Sequence, residues 1–108
     1  MVKARKRREE YQQYFTENDL LRVEFDHMGR SVSKFSVQYL ARIQGEWQPI
    51  ARYDTAHGFA HMDISHPDGT QETSELKAAS YREALVQAIT DLKVRWEFYL
   101  ERYERWVK

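Results

Sequence analysis

The 108-residue chain predicts an α+β domain. The expected architecture is an antiparallel four- to five-stranded β-meander, with an N-terminal helix and a long C-terminal helix packed on one sheet face. Two observations carry that expectation. The middle of the chain alternates apolar and polar residues in short runs broken by Gly-containing turns, the two-residue period of half-buried strands. The last third instead spaces its apolar residues three and four apart for about 25 residues without Gly or Pro, the helix period.

The elements follow in order. Residues 3–16 read as a helix, polar for two turns and then carrying Tyr11, Tyr14 and Phe15 at 3 and 4 spacing. The sheet is expected over residues 20–77. Leu21, Val23 and Phe25 alternate with Arg22, Glu24 and Asp26, and Gly29 suits the tight connection that follows. Phe35, Val37, Tyr39, Ala41 and Ile43 make a long second strand. Residues 47–54 make a third, where Pro49 argues for an edge, a bulge or a strand start. After the connection 55–58, residues 59–66 make a fourth strand, with His61 and Asp63 on one face and Met62 and Ile64 on the other. Pro67-Asp68-Gly69 is a turn, and residues 70–76 are a weaker fifth strand.

Ser80-Tyr81-Arg82-Glu83 fits a capping box, so the C-terminal helix is expected over residues 80–107. One such helix covers one sheet face. The other face would leave Leu40, Ile50 and Phe59 in water, which calls for the N-terminal helix or a second subunit; a homodimer is expected. Residues 1–108 are read as a single domain.

Composition narrows the function. With 42% hydrophobic and 31% charged residues the chain is globular rather than disordered. Seventeen Lys and Arg balance seventeen Asp and Glu, so a uniformly basic nucleic-acid binder is excluded. No apolar run approaches the roughly 20 residues a membrane span needs, and no signal-peptide apolar region follows the N-terminus. A cytoplasmic protein without membrane contact is therefore expected. The absence of cysteine removes disulfides, thiolate nucleophiles and Cys-type zinc sites.

The charge is unevenly placed. Lys3, Arg5, Lys6, Arg7 and Arg8 against Glu9 and Glu10 give residues 1–10 a net of +3. Residues 54–76 hold Asp54, Asp63, Asp68, Glu72 and Glu75 with no Lys or Arg, a net of −5. That acidic stretch also carries His57, His61 and His66. A basic arm can lie on RNA, so Lys3, Arg5, Lys6, Arg7 and Arg8, together with Tyr53, are the candidate RNA contacts.

The densest chemistry joins the third and fourth strands. Alternation puts Arg52 and Asp54 on one side of the third strand and His61 and Asp63 on one side of the fourth. If residues 55–58 form the hairpin loop, the two pairs become neighbours, with His57 at the loop tip. Metal-free RNA cleavage uses such a set: imidazoles move protons to and from the ribose and leaving oxygens, and a guanidinium offsets charge on the phosphate. Histidine suits this because its ordinary pKa, about 6.5, lies near the working pH. The candidate catalytic residues are thus Arg52, Asp54, His57 and His61. His57, His61, Asp63 and His66 also offer metal-type donors. Their spacing matches no metal-site signature, and His61 and His66 point to opposite strand faces, so no metal or other cofactor is expected.

Around Arg52-Tyr53-Asp54-Thr55-Ala56 the sequence resembles small bacterial toxins of the TumE type from toxin–antitoxin pairs. Those chains have similar length, a strand-rich middle and an R-Y-D-N-A-P-H-H-type stretch. Arg52, Tyr53, Asp54 and Ala56 match it; Thr55 replaces the Asn, His57 stands at the Pro, and Gly58 and Phe59 replace the paired histidines. The resemblance implies a toxin-like domain acting on RNA and held by a cognate antitoxin. The alternative reading is a non-catalytic dimeric interaction module that docks through its aromatic helix and basic arm. A single-stranded nucleic-acid binder using that arm is a third.

Overall fold

The computed structural model describes residues 5–106. Six strands form one antiparallel sheet in sequence order, followed by one helix. The strands are β1 (Lys6–Thr16), β2 (Asp19–Met28), β3 (Ser31–Ile43), β4 (Glu46–Asp54), β5 (His61–Ser65) and β6 (Gln71–Glu75); the helix is α1 (Tyr81–Glu104). The α+β meander is as expected, with more strands and one helix fewer.

The difference lies at the N-terminus. Residues 6–16 form a strand, not a helix, paired with β2 from Lys6↔Met28 to Tyr14↔Leu20. A helix of that length is marginal in water without a packed apolar face, and three aromatics make a poor one. Pairing instead satisfies the backbone of β2 along its whole length. The aromatics then divide: Tyr11 shares the face of Val23, whereas Tyr14 turns to the other side. The 3 and 4 spacing was a coincidence of composition. The run of Lys6, Arg7, Arg8, Glu9 and Glu10 puts charges along this exposed edge, which disfavours pairing with another strand.

Alternation along β2 to β5 builds the core. Leu21, Val23, Val37, Tyr39, Ala51, Tyr53 and Met62 face α1 and pack on Ala84, Leu85, Ala88, Leu92 and Tyr99. Burying each large aliphatic side chain contributes about 1.5–3 kcal/mol. Phe15 stacks on Trp96 (centroids 5.3 Å apart), and Phe35 meets Tyr81 edge-on at 6.3 Å, so the helix crosses the sheet diagonally. The helix start is held by the capping box: Ser80 Oγ accepts from the Glu83 amide at 3.1 Å, and Glu83 reaches back to accept from the Ala79 amide at 3.1 Å. Trp96 and Tyr99 lie against the sheet, Trp96 edge-on to Tyr39 with centroids 5.7 Å apart. Trp106 stacks on the buried His66 ring with centroids 3.6 Å apart.

The central link between the layers is polar. Asp91 Oδ2 accepts from Tyr53 Oη at 2.7 Å and from Tyr99 Oη at 2.5 Å. Burial, reinforced by the carboxylate, raises both phenols above their ordinary value; that of Tyr99 is pushed up to about 12. Tyr53 sits between Arg52 and Asp54 in sequence but points the opposite way. Asp91 therefore anchors from below the strand that carries the candidate site above.

The face away from α1 is largely self-covered. Tyr39 pairs with Ala51 and Leu40 with Pro49, so Ile50 is the extra residue of a bulge and is fully buried in the core. Pro49 sits where a bulge tolerates a missing N–H. Leu20 and Leu40 are paired in register and buried, and Tyr14 and Trp47 from the flanking strands meet edge-on at 6.1 Å. Leu40 and Ile50 thus leave water within one chain, without the second subunit their exposure would have required. Phe59, in the β4–β5 connection, stays 43% exposed. Among the described residues no helix is long and apolar enough to cross a membrane.

Candidate active site

The register of β4 and β5 decides the site. Arg52 pairs with Asp63 and Asp54 with His61, so all four side chains share the face opposite α1. Gly58, at φ +82°, closes the connection with its amide bonded to the Thr55 carbonyl at 3.1 Å. That left-handed residue turns the chain back over the strand ends. His57 is thereby brought to 5.2 Å from the His61 ring, centroid to centroid.

Asp54 is the hub. Its Oδ2 takes Arg52 Nε at 2.8 Å. Its Oδ1 accepts from the Ala56 amide at 3.0 Å and lies 2.9 Å from His61 Nε2. Asp63 Oδ2 approaches the same Nε2 at 3.4 Å, while Asp63 Oδ1 accepts from Thr73 Oγ1 at 2.6 Å. The other ring nitrogen, His61 Nδ1, lies 3.3 Å from the Phe59 carbonyl oxygen. Asp54, His61 and Asp63 are all buried, which strengthens every charge interaction among them.

An open groove of about 520 Å³ lies beside this cluster on the sheet face opposite α1. Arg52, Asp54, Thr55 and Ala56 form one wall; Arg8, Asp26 and Lys34 stand opposite. Asp26, itself buried, gathers Lys6 (3.6 Å), Arg8 (3.4 Å) and Lys34 (3.7 Å). Arg8 also pairs with Glu10 (2.7 Å) and Glu24 (3.1 Å), so Lys6, Arg8 and Lys34 are matched by three carboxylates, and Arg52 across the groove is matched by Asp54.

The candidate residues fare differently. Arg52, Asp54, His57 and His61 come together. His57 and Arg52 are exposed and can meet a ligand, but His61 is only 2% exposed and has acceptors at both nitrogens. It can position or balance charge; it does not reach a substrate as a free imidazole. Of the proposed RNA contacts, Lys6 and Arg8 border the groove, Arg5 is exposed before β1, and Lys3 lies outside the described residues. Arg7 pairs with His27 on the helix side of β1, away from the groove. Tyr53 is buried at 7% exposure and engaged with Asp91, so its ring is not available to stack on a base.

Asp63, Thr73, Asp26 and Lys34 belong to the site region without having been singled out as catalytic. Asp63 was legible from its alternation with His61. Thr73 needed the β5–β6 pairing Asp63↔Thr73, and Lys34 needed the β2–β3 pairing Asp26↔Lys34. His66 stands apart, under Trp106, with Nε2 2.9 Å from Glu72.

Over residues 5–108 the chain matches the family described as Domain of unknown function (DUF7718), and it belongs to that family. No curated protein and no solved structure matches it.

Proposed function

We propose that this protein is a toxin-like ribonuclease of a toxin–antitoxin pair, cleaving RNA without a metal at the reacting phosphate. The observation that supports this is the cross-strand pair Asp54↔His61, which gathers Arg52, Asp54, His57 and His61, with Arg52 and Asp54 lining a groove. His57 takes the proton from a ribose 2′-hydroxyl; the oxygen attacks the adjacent phosphorus and the 5′-oxygen leaves, protonated by water, giving a 2′,3′-cyclic phosphate. Arg52 engages Asp54 through Nε and keeps its remaining donors for the phosphate, where charge builds in the transition state. Asp54 orients that guanidinium, and His61 holds Asp54. Lys34, whose ammonium is largely exposed, contacts the RNA backbone in the groove. A cognate antitoxin covers the groove, and the protein acts in the cytoplasm.

Purified protein incubated with several RNAs, without added metal, is expected to produce cyclic-phosphate ends. Arg52→Ala and His57→Ala, both at exposed positions, are expected to lower the rate by 10²–10⁴-fold on the order of a lost proton-transfer or oxyanion partner, with circular dichroism unchanged. Intact RNA with folded wild-type protein, together with unimpaired growth of cells expressing it, refutes the reading.

One observation favours a second reading, a non-catalytic dimeric interaction module. Val86, Val94 and Phe98 lie exposed on one side of α1, away from its buried residues. Sedimentation of wild type and Phe98→Lys separates the two: a dimer lost in the variant supports the module, and a monomer at high concentration removes it.

A further inference from the structure

The structure assigns, we propose, a divalent transition-metal site to Asp54, His61 and Asp63. One donor atom from each lies within 4.8 Å of the others. The inner separations are 2.9 Å from His61 Nε2 to Asp54 Oδ1 and 3.4 Å to Asp63 Oδ2. Ligands held about 2.1 Å from one ion lie about 3.0 Å apart in an octahedral shell and about 3.4 Å apart in a tetrahedral one. Both separations from His61 Nε2 fall in that range.

The surrounding donors point the same way. Each carboxylate has its outer oxygen held from outside, Asp54 Oδ2 by Arg52 and Asp63 Oδ1 by Thr73, so the inner oxygens turn toward Nε2. His61 Nδ1 lies 3.3 Å from the Phe59 carbonyl oxygen, the second contact by which proteins orient a metal-binding imidazole, and Nε2 faces the two carboxylates. One Nε2 proton can be aimed at only one of two carboxylates, whereas a cation between the three atoms satisfies all of them. Asp54 lines the groove, which gives an ion a route to the buried donors. One imidazole with two carboxylates suits Zn²⁺ or Mn²⁺; Mg²⁺ and Ca²⁺ favour all-oxygen shells. Three protein ligands leave coordination positions for water or a ligand oxygen.

This site stands independently of the ribonuclease reading, because the ion is measured directly and in the absence of RNA. The test is titration of chelator-stripped full-length protein with ZnCl₂ and MnCl₂, followed by calorimetry and by ¹⁵N spectra of the histidine rings. The expected result is one saturable site per chain, with the His61 Nε2 resonance shifted by the ion. Asp63→Asn is expected to weaken binding by about 100-fold, and His27→Gln, in the distant β2–β3 hairpin, to leave it unchanged. A His61 ring doubly protonated throughout the titration overturns the proposal, since a proton then bridges the carboxylates. So does binding that survives both Asp63→Asn and Asp54→Asn. The wild-type spectra decide the matter even if those variants fail to fold.

Discussion

Asp91→Ala tests whether one carboxylate ties the helix to the strand beneath the site. Asp91 accepts hydrogen bonds from Tyr53 and Tyr99, and its side chain is only 19% exposed. Hydrogen bonds to a charged acceptor contribute about 1.5–3 kcal/mol each, and an unpaired buried hydroxyl costs about 1–3 kcal/mol. The Arg95 contact at 3.6 Å is half-exposed and adds little. Losing the common acceptor is therefore expected to cost about 3–5 kcal/mol. At about 4 °C per kcal/mol for a domain of this size, the thermal midpoint should fall by about 12–20 °C. Tyr53→Phe and Tyr99→Phe each remove one donor and leave no phenol stranded, so each should cost about 1–2 kcal/mol. A cycle pairing Asp91→Ala with Tyr53→Phe should show a double-variant cost below the sum of the two, because the second change adds little after the first. The assay is urea unfolding with an unchanged m-value. An Asp91→Ala cost under about 1 kcal/mol would show that the link is incidental and that apolar packing alone seats the helix.

Three further outcomes follow from the same structure. Gly58→Ala meets no atom within 4 Å of the new Cβ, yet must hold φ +82°; a loss of about 1–2 kcal/mol is expected by thermal melting, and a neutral result refutes the left-handed turn. Leu40→Ala should cost about 2–5 kcal/mol in urea unfolding, since Leu40 is buried within one chain; a cost near zero means that the face is open. Tyr39 and Tyr99 titrate above their ordinary value in the folded protein, chiefly through burial and then through Asp19 and Asp91. Their neutral forms favour the folded state, so that stability is complete below about pH 10 and is lost as pH rises toward 12. Tyrosinate absorbance that rises as one step with unfolding supports this; full titration at pH 10 in folded protein refutes it.

The sequence by itself determined what depends on near neighbours. A strand places alternate residues on opposite sides, so Arg52 with Asp54 and His61 with Asp63 were paired before any fold was known. Ser80 and Glu83 marked the helix start, and Gly58 and Gly69 marked turns, because capping and positive φ are properties of a few adjacent residues. Only the tertiary structure decided the rest. The segment 6–16 became a strand because β2 offered it a backbone partner, a long-range gain invisible in its own spacing. The register Asp54↔His61 set which pairs met, since a one-residue slip would turn every side chain to the other face. Burial then assigned the roles. It hid Tyr53 beneath the sheet, closed His61 between two carboxylates, and brought Thr73 and Asp91 from distant elements to hold Asp63 and Tyr53. These contacts bridge residues far apart in the chain, and their strength depends on exclusion of water, which no local pattern encodes.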